Sequence, residues 1–141
     1  MYVKKAIGAL AFSAALLVGS TTAASAATHD SSDHYGHTGR CASDSVCLYY
    51  SSGESGAFLQ THELVQISDL AGYKFNSAGA GAGQAVKNNA ASAENNLVLG
   101  CELHVFYNSN FGGNEDYLET GSYGQLYYTY NEDASIIQKC P

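Results

Sequence analysis

Tyr49-Tyr50-Ser51-Ser52-Gly53-Glu54-Ser55-Gly56 recurs, 57 residues later, as Phe106-Tyr107-Asn108-Ser109-Asn110-Phe111-Gly112-Gly113. The shared pattern is aromatic-aromatic-x-Ser-x3-Gly. Later in each copy, Asn88-Asn89-Ala90-Ala91-Ser92 precedes Asn131-Glu132-Asp133-Ala134-Ser135 by 43 residues. Two copies of one unit are the simplest account, with boundaries near 41–97 and 98–141. The unequal offsets place the longer middle loop in the first copy, around Ser77-Ala78-Gly79-Ala80-Gly81-Ala82-Gly83-Gln84. So little side chain is expected to pack weakly and to cross an end of the sheets as a long loop.

The segments around the repeats are short and rich in β-branched and aromatic residues. Val46–Tyr50, Ala57–Gln60, Cys101–Tyr107, Leu126–Tyr130 and Ser135–Gln138 read as strands. No window keeps a 3.6-residue period, and His62–Leu70 offers one helical turn at most. The fold class is all-β, a sandwich or barrel of many short strands. As a strand, Leu126–Tyr130 would turn Tyr128 and Tyr130 to one face and Tyr127 to the other. With Tyr123, these belong to an unusual excess of 11 Tyr in a chain without Trp.

The chain of 141 residues opens like an export leader. Lys4 and Lys5 precede an apolar run from Ala6 to Gly19, and Ala24-Ser25-Ala26 is a small-residue cleavage site. The run has about 14 residues, short of the ~20 that span a bilayer. A cut after Ala26 leaves 115 residues with 4 Lys+Arg against 13 Asp+Glu, a charge of −9. That surface disfavours nucleic acid and anionic membranes as partners, and an antimicrobial role with them. The expected product is secreted, extracellular and monomeric. Four cysteines, Cys41, Cys47, Cys101 and Cys140, imply two disulfides in such a compartment, with three connectivities open.

Residues 27–40 (ATHDSSDHYGHTGR) carry no large aliphatic side chain and are expected to be a disordered lead-in. His29, Asp30, Asp33, His34 and His37 are transition-metal donors by type, but a floppy segment must be ordered before it can chelate. Asn114, Glu115, Asp116 and Glu119 read as a solvated acidic face. Enzyme signals do not survive inspection. His62-Glu63-Leu64-Val65-Gln66 has Gln66 where H-E-x-x-H needs its second histidine. Gly121-Ser122-Tyr123-Gly124 is no nucleophile elbow, and an even cysteine count leaves no spare thiol.

Phe106-x4-Phe111-x-Gly113 and its partial counterpart Tyr49-x4-Glu54-x-Gly56 resemble the folded first hairpin of βγ-crystallin Greek keys. Glu54 stands where the second aromatic belongs, so the first hairpin is expected to be looser. Cys47-Leu48-Tyr49, Gly72-Tyr73-Lys74-Phe75, Asn88 to Ser92 and Tyr128-Thr129-Tyr130-Asn131 bring the chain closer to a family of secreted bacterial peptidase inhibitors. That family is typified by a small metalloproteinase inhibitor of this fold. The resemblance covers roughly residues 41–140 and implies two intertwined four-stranded units. It also implies that the first and fourth strands of a unit run side by side, so that Cys101 faces Cys140. Cys41–Cys47 then follows, with Cys47–Cys140 as the rival pairing. The implied function is occlusion of an extracellular peptidase by a rigid loop. Residues 51–56 and 108–114 are candidate loops, and nothing in the sequence chooses between them. The alternative is a calcium-binding structural or cell-surface protein. Each copy carries a degenerate form of N/D-N/D-x-x-S/T-S, a turn whose oxygens suit a hard cation. Asn88, Asn89 and Ser92 are the first set, and Asn131, Glu132, Asp133 and Ser135 the second. The competing role for these residues is to hold the turns themselves.

Overall fold

The computed structural model describes residues 23–62 and 65–141. The leader through Thr22 and the Glu63-Leu64 pair of the near-miss motif lie outside the described residues. Ten strands follow in chain order: β1 (Thr28–Asp30), β2 (His34–Tyr35), β3 (Ser45–Ser51), β4 (Ser55–His62), β5 (Gln66–Ile67), β6 (Ser92–Asn96), β7 (Glu102–Asn108), β8 (Gly112–Leu118), β9 (Ser122–Gln125) and β10 (Ser135–Lys139). No α-helix occurs among the described residues; one 3-10 turn, Leu70–Gly72, is capped by Asp69.

Each half builds three strands of its own sheet and gives its third strand to the other. One sheet runs β1-β8-β7-β10-β5 and the second runs β2-β9-β6-β3-β4. Thus β5 of the first unit pairs with β10, and β9 of the second pairs with β6. The first and fourth strands of each unit are antiparallel neighbours, β3 with β6 and β7 with β10. The disulfides are Cys41–Cys47 and Cys101–Cys140, the pairing the family resemblance implied. Closing the second loop, of 39 residues in separation, stabilises the fold by roughly 3–4 kcal/mol in the chain-entropy account. Alternation on the strands sends Val46, Leu48, Leu59, Leu103, Val105, Leu118 and Ile136 into one core between the sheets.

Three expectations need correction. The lead-in is ordered: β1 lies parallel on β8 and β2 antiparallel on β9, so residues 27–40 lengthen both sheets by one strand. Polar side chains supply the attachment that apolar ones lack. Ser31 is fully buried, Asp33 Oδ2 accepts from Gln125 N at 2.8 Å, and Thr38 N donates to buried Glu94 at 3.0 Å. Gly124 makes room, since a Cβ there would lie 2.1 Å from the Ser31 carbonyl oxygen.

Leu126–Tyr130 is not a strand. The amides of Tyr127, Tyr128 and Thr129 all donate to the carboxylate of Asp116, at 2.8–3.2 Å. Asp116 is wholly buried on β8, so the acidic face read at Asn114–Glu119 has an anchor at its centre. A carboxylate satisfying three amides competes with a sheet ladder for them, and here it wins.

The Gly/Ala stretch is mostly exposed, as so little side chain implies, but it is tied to β4 and to Tyr50 instead of only crossing an end of the sheets. Ala80 O accepts from Ala57 N and Ser77 Oγ from Phe58 N, both at 2.8 Å, covering the edge of β4. Gly81 lies against the Tyr50 ring so closely that a Cβ would be 2.1 Å from it. Substituting Gly81→Ala is expected to cost about 1–3 kcal/mol of stability through overpacking. Gly72→Ala meets no atom within 4 Å and should stay within about 0.5 kcal/mol. Urea titrations of the two variants check the contrast.

Candidate functional site

The two hairpins of the repeat are held by the same pair of hydrogen bonds. Ser92 Oγ donates to Ser51 O at 2.8 Å and accepts from Glu54 N at 3.0 Å. Ser135 Oγ donates to Asn108 O at 2.7 Å and accepts from Phe111 N at 3.0 Å. Glu54 and Phe111 both take positive φ, 49° and 59°, as do Gly56 and Gly113 at 73° and 79°. Phe111 meets Phe106 edge-on with centroids 6.0 Å apart. In the first copy Phe58 instead meets Tyr49 at 5.4 Å, and the Arg40 guanidinium lies over both rings. Arg40 also donates to the carbonyls of Glu54 and Gly56. The looseness expected from Glu54 is therefore absent from the hydrogen bonding. The carboxyl bears the cost: Glu54 Oε1 is buried without a partner, and burial, then the nearby Glu94 charge, raises its pKa.

The Asn/Ser turns meet across the pseudo-twofold axis. Asn88 N donates to Asp133 O and Asn131 N to Ala90 O, each at 2.8 Å. Asp133 Oδ1 reaches across to the other turn, accepting from Asn89 N at 3.0 Å and Ala90 N at 2.9 Å. Calcium needs six to eight oxygens facing one point. Here Ser92 and Ser135 are buried and spent on backbone groups, as is Asp133 Oδ1, while Asp133 Oδ2 is buried without a partner and Asn88, Asn131 and Glu132 face solvent. As arranged, Ser92, Ser135 and Asp133 Oδ1 hold the turns. Among the described residues, no three His, Cys, Asp or Glu side chains gather to hold a metal.

The feature that sequence reading passed over is the link between the units, Leu97-Val98-Leu99-Gly100. It is an apolar run, but it lies on a unit boundary and so reads as a connection. Leu97 is buried, Val98 is 53% exposed and Leu99 is 86% exposed. Leu99 sits at φ 63° and Gly100 at φ 72°. Both ends of the turn are fixed. Asn95 Nδ2 donates to Cys101 O at 2.9 Å, Leu97 N donates to Asn95 Oδ1 at 3.1 Å, and Thr120 Oγ1 donates to Cys101 O at 2.7 Å. The Cys101–Cys140 disulfide lies directly beneath, lining an open apolar crevice with Leu97 and Leu99. By contrast, the tip of residues 51–56 is polar, the Phe111 ring of 108–114 is turned onto Phe106, and the two tips are tied to Ser92 and Ser135.

A model of peptidase inhibitor family I36 matches residues 36–118. The chain belongs to this family. Its fold is also that of a solved structure on the evolution of the eye-lens βγ-crystallin domain fold. That structure is 18% identical, with a TM-score of 0.55, covering 77% of this chain and 97% of the other. The N-terminal domain of protein S is 14% identical, with a TM-score of 0.50, over 68% of this chain and 96% of its own. Sequence comparison with curated proteins finds no match. The family match begins at residue 36, so β1 and β2 of this I36 chain stand outside it.

Two outcomes test the turns of this family member. Ser92→Ala strands a buried amide and Ser135→Ala a half-buried one, each with a carbonyl, costing about 1–3 kcal/mol each, and the loss should be equal with and without calcium in a thermal melt. Burial holds the Asp133 carboxyl well above the usual carboxylate range, and its Oδ2 has no partner. The folded state thus keeps a proton that the unfolded chain has lost. Its contribution is full below the unfolded pKa near 3.8 and is lost as pH rises through the raised folded value. Asp133→Asn should flatten that fall in stability, measured by urea titration at several pH values.

Proposed function

We propose that the chain is a secreted proteinaceous inhibitor, not an enzyme, that blocks an extracellular peptidase by lodging the Val98-Leu99 tip in an apolar specificity pocket. Membership of an inhibitor family supports a peptidase partner in general. Two disulfides and the leader-like start of the chain support an extracellular setting. The single observation that carries the choice of loop is Leu99, 86% exposed on a left-handed turn whose stem is cross-linked.

Isolated exposed aliphatics are ordinary on protein surfaces. Two in succession, one of them in a conformation that costs a non-glycine residue about 1–2 kcal/mol, call for a compensating use. A tip already ordered on its own stem spares the complex the entropy of ordering it, which lengthens residence in the cleft. The mechanism is steric: the tip fills the pocket and the rigid β-sandwich behind it bars substrate.

The purified protein should inhibit a thermolysin-like or subtilisin-like peptidase at stoichiometric excess. Leu99→Glu should weaken inhibition at least about thirtyfold, the ~2 kcal/mol of a buried anchor residue, without lowering the melting temperature. No inhibition across such a panel at micromolar excess defeats the function. Inhibition indifferent to Leu99→Glu and Val98→Asp defeats the loop assignment alone.

A further inference from the structure

The strap of residues 27–40 begins in a way that its role in the sheets does not explain. Ala23 to Ala26 are exposed and pair with nothing in either sheet. Docking starts at Ala27, whose N donates to Asn114 Oδ1 at 3.0 Å and whose carbonyl accepts from Glu115 N at 2.9 Å. That is the residue after Ala24-Ser25-Ala26, where the leader reading places the cut. Cleavage there makes Ala27 a free α-amine and His29 the third residue of the mature chain.

A chain that starts X-X-His offers four nitrogens in one plane: the α-amine, the amides of the second and third residues, and the imidazole Nδ1. Successive nitrogens close two five-membered chelate rings and one six-membered ring. Histidine closes the last ring without strain only at the third position, and only through Nδ1. A square-planar nitrogen set suits Cu(II), with Ni(II) next, and the order of divalent affinities peaks at copper. Three of these ligands are main-chain nitrogens, so the site needs no cluster of metal-binding side chains.

We propose that Ala27-Thr28-His29 is a Cu(II)-binding site in the mature protein, and that copper loading releases β1 from β8. The geometry sets the two states against each other. His29 Nδ1 is the ring nitrogen that lies 3.1 Å from Ser31 Oγ and 3.3 Å from Asp116 Oδ1. His29 also stacks on Tyr127 with centroids 4.7 Å apart. The metal needs that same nitrogen. It also needs the Thr28 and His29 amides deprotonated and turned around the ion, a shape incompatible with the register Thr28↔Glu115, His29↔Asp116. On binding, the ammonium proton and both amide protons pass to solvent, and the nitrogen lone pairs take the four metal positions. Metal affinity and strap docking are then negatively coupled, and the coupling is reciprocal.

The proposal is independent of the inhibitory reading but rests on the leader reading, and the experiment separates the two. N-terminal sequencing of the secreted protein is expected to start at Ala27. Titration of that protein with CuCl2 should raise the violet visible band of planar four-nitrogen copper, saturating at one equivalent. Amide exchange at Ser31 and Glu115 should quicken on loading. His29→Ala should abolish the band, and so should one additional residue before Ala27, which keeps every side chain but moves histidine to fourth place. His34→Ala and His37→Ala should keep it. A natural N-terminus elsewhere overturns the proposal together with the leader reading. No violet band from a chain that starts at Ala27, or a band that survives the added residue, overturns the metal site alone.

Discussion

Neither half of this molecule can complete its own sheet. The third strand of each unit pairs with the fourth strand of the other, β5 on β10 and β9 on β6. This reciprocal exchange forces the two Greek keys to share one core. It also brings the Asn/Ser turns together, where Asp133 accepts from two amides of the opposite copy. The inter-unit link can then be short and taut, with Leu97 buried on one side and Cys101 on the other.

Buried carboxylates do much of the fastening. Asp116 gathers Ser31 Oγ, Thr129 Oγ1 and three consecutive amides. Glu94 gathers Thr38 and the Tyr49 hydroxyl. A charge withdrawn from water is tolerable only when its oxygens are met by donors. In both cases one donor, Ser31 or Thr38, comes from the strap of residues 27–40, which has little apolar surface of its own. Hydrogen bonding to a buried carboxyl thus orders strap residues that hydrophobic burial could not.

The sandwich was legible because its determinants repeat. Gly56, Phe111 and Gly113 mark positions of positive φ, and Tyr49 and Phe106 the aromatic rings packed beside them, and such positions announce themselves in sequence. Ser92 and Ser135 were legible as turn holders, though their type also permitted a cation site. The strap was not legible, because its partners are polar and lie 87 residues away at Glu115 and Asn114. The same distance hid Asp116, which looks like any surface aspartate beside Glu115. Tyr127 and Tyr128 misled because strand propensity reports side-chain shape and says nothing of a carboxylate waiting for the amides. Leu99 was overlooked because an apolar run between two domains' worth of strands reads as filler until its exposure is known.

The pairing of β1 with β8 carries a kinetic consequence. Thr28 emerges early in synthesis, yet its sheet neighbour Glu115 comes 87 residues later. Contacts so far apart in sequence close last, because the loop entropy between them is recovered only once the intervening strands have condensed. Until then the leading residues have no seat and behave as an open tail. The first strand to be synthesised is thus the final one to find its place.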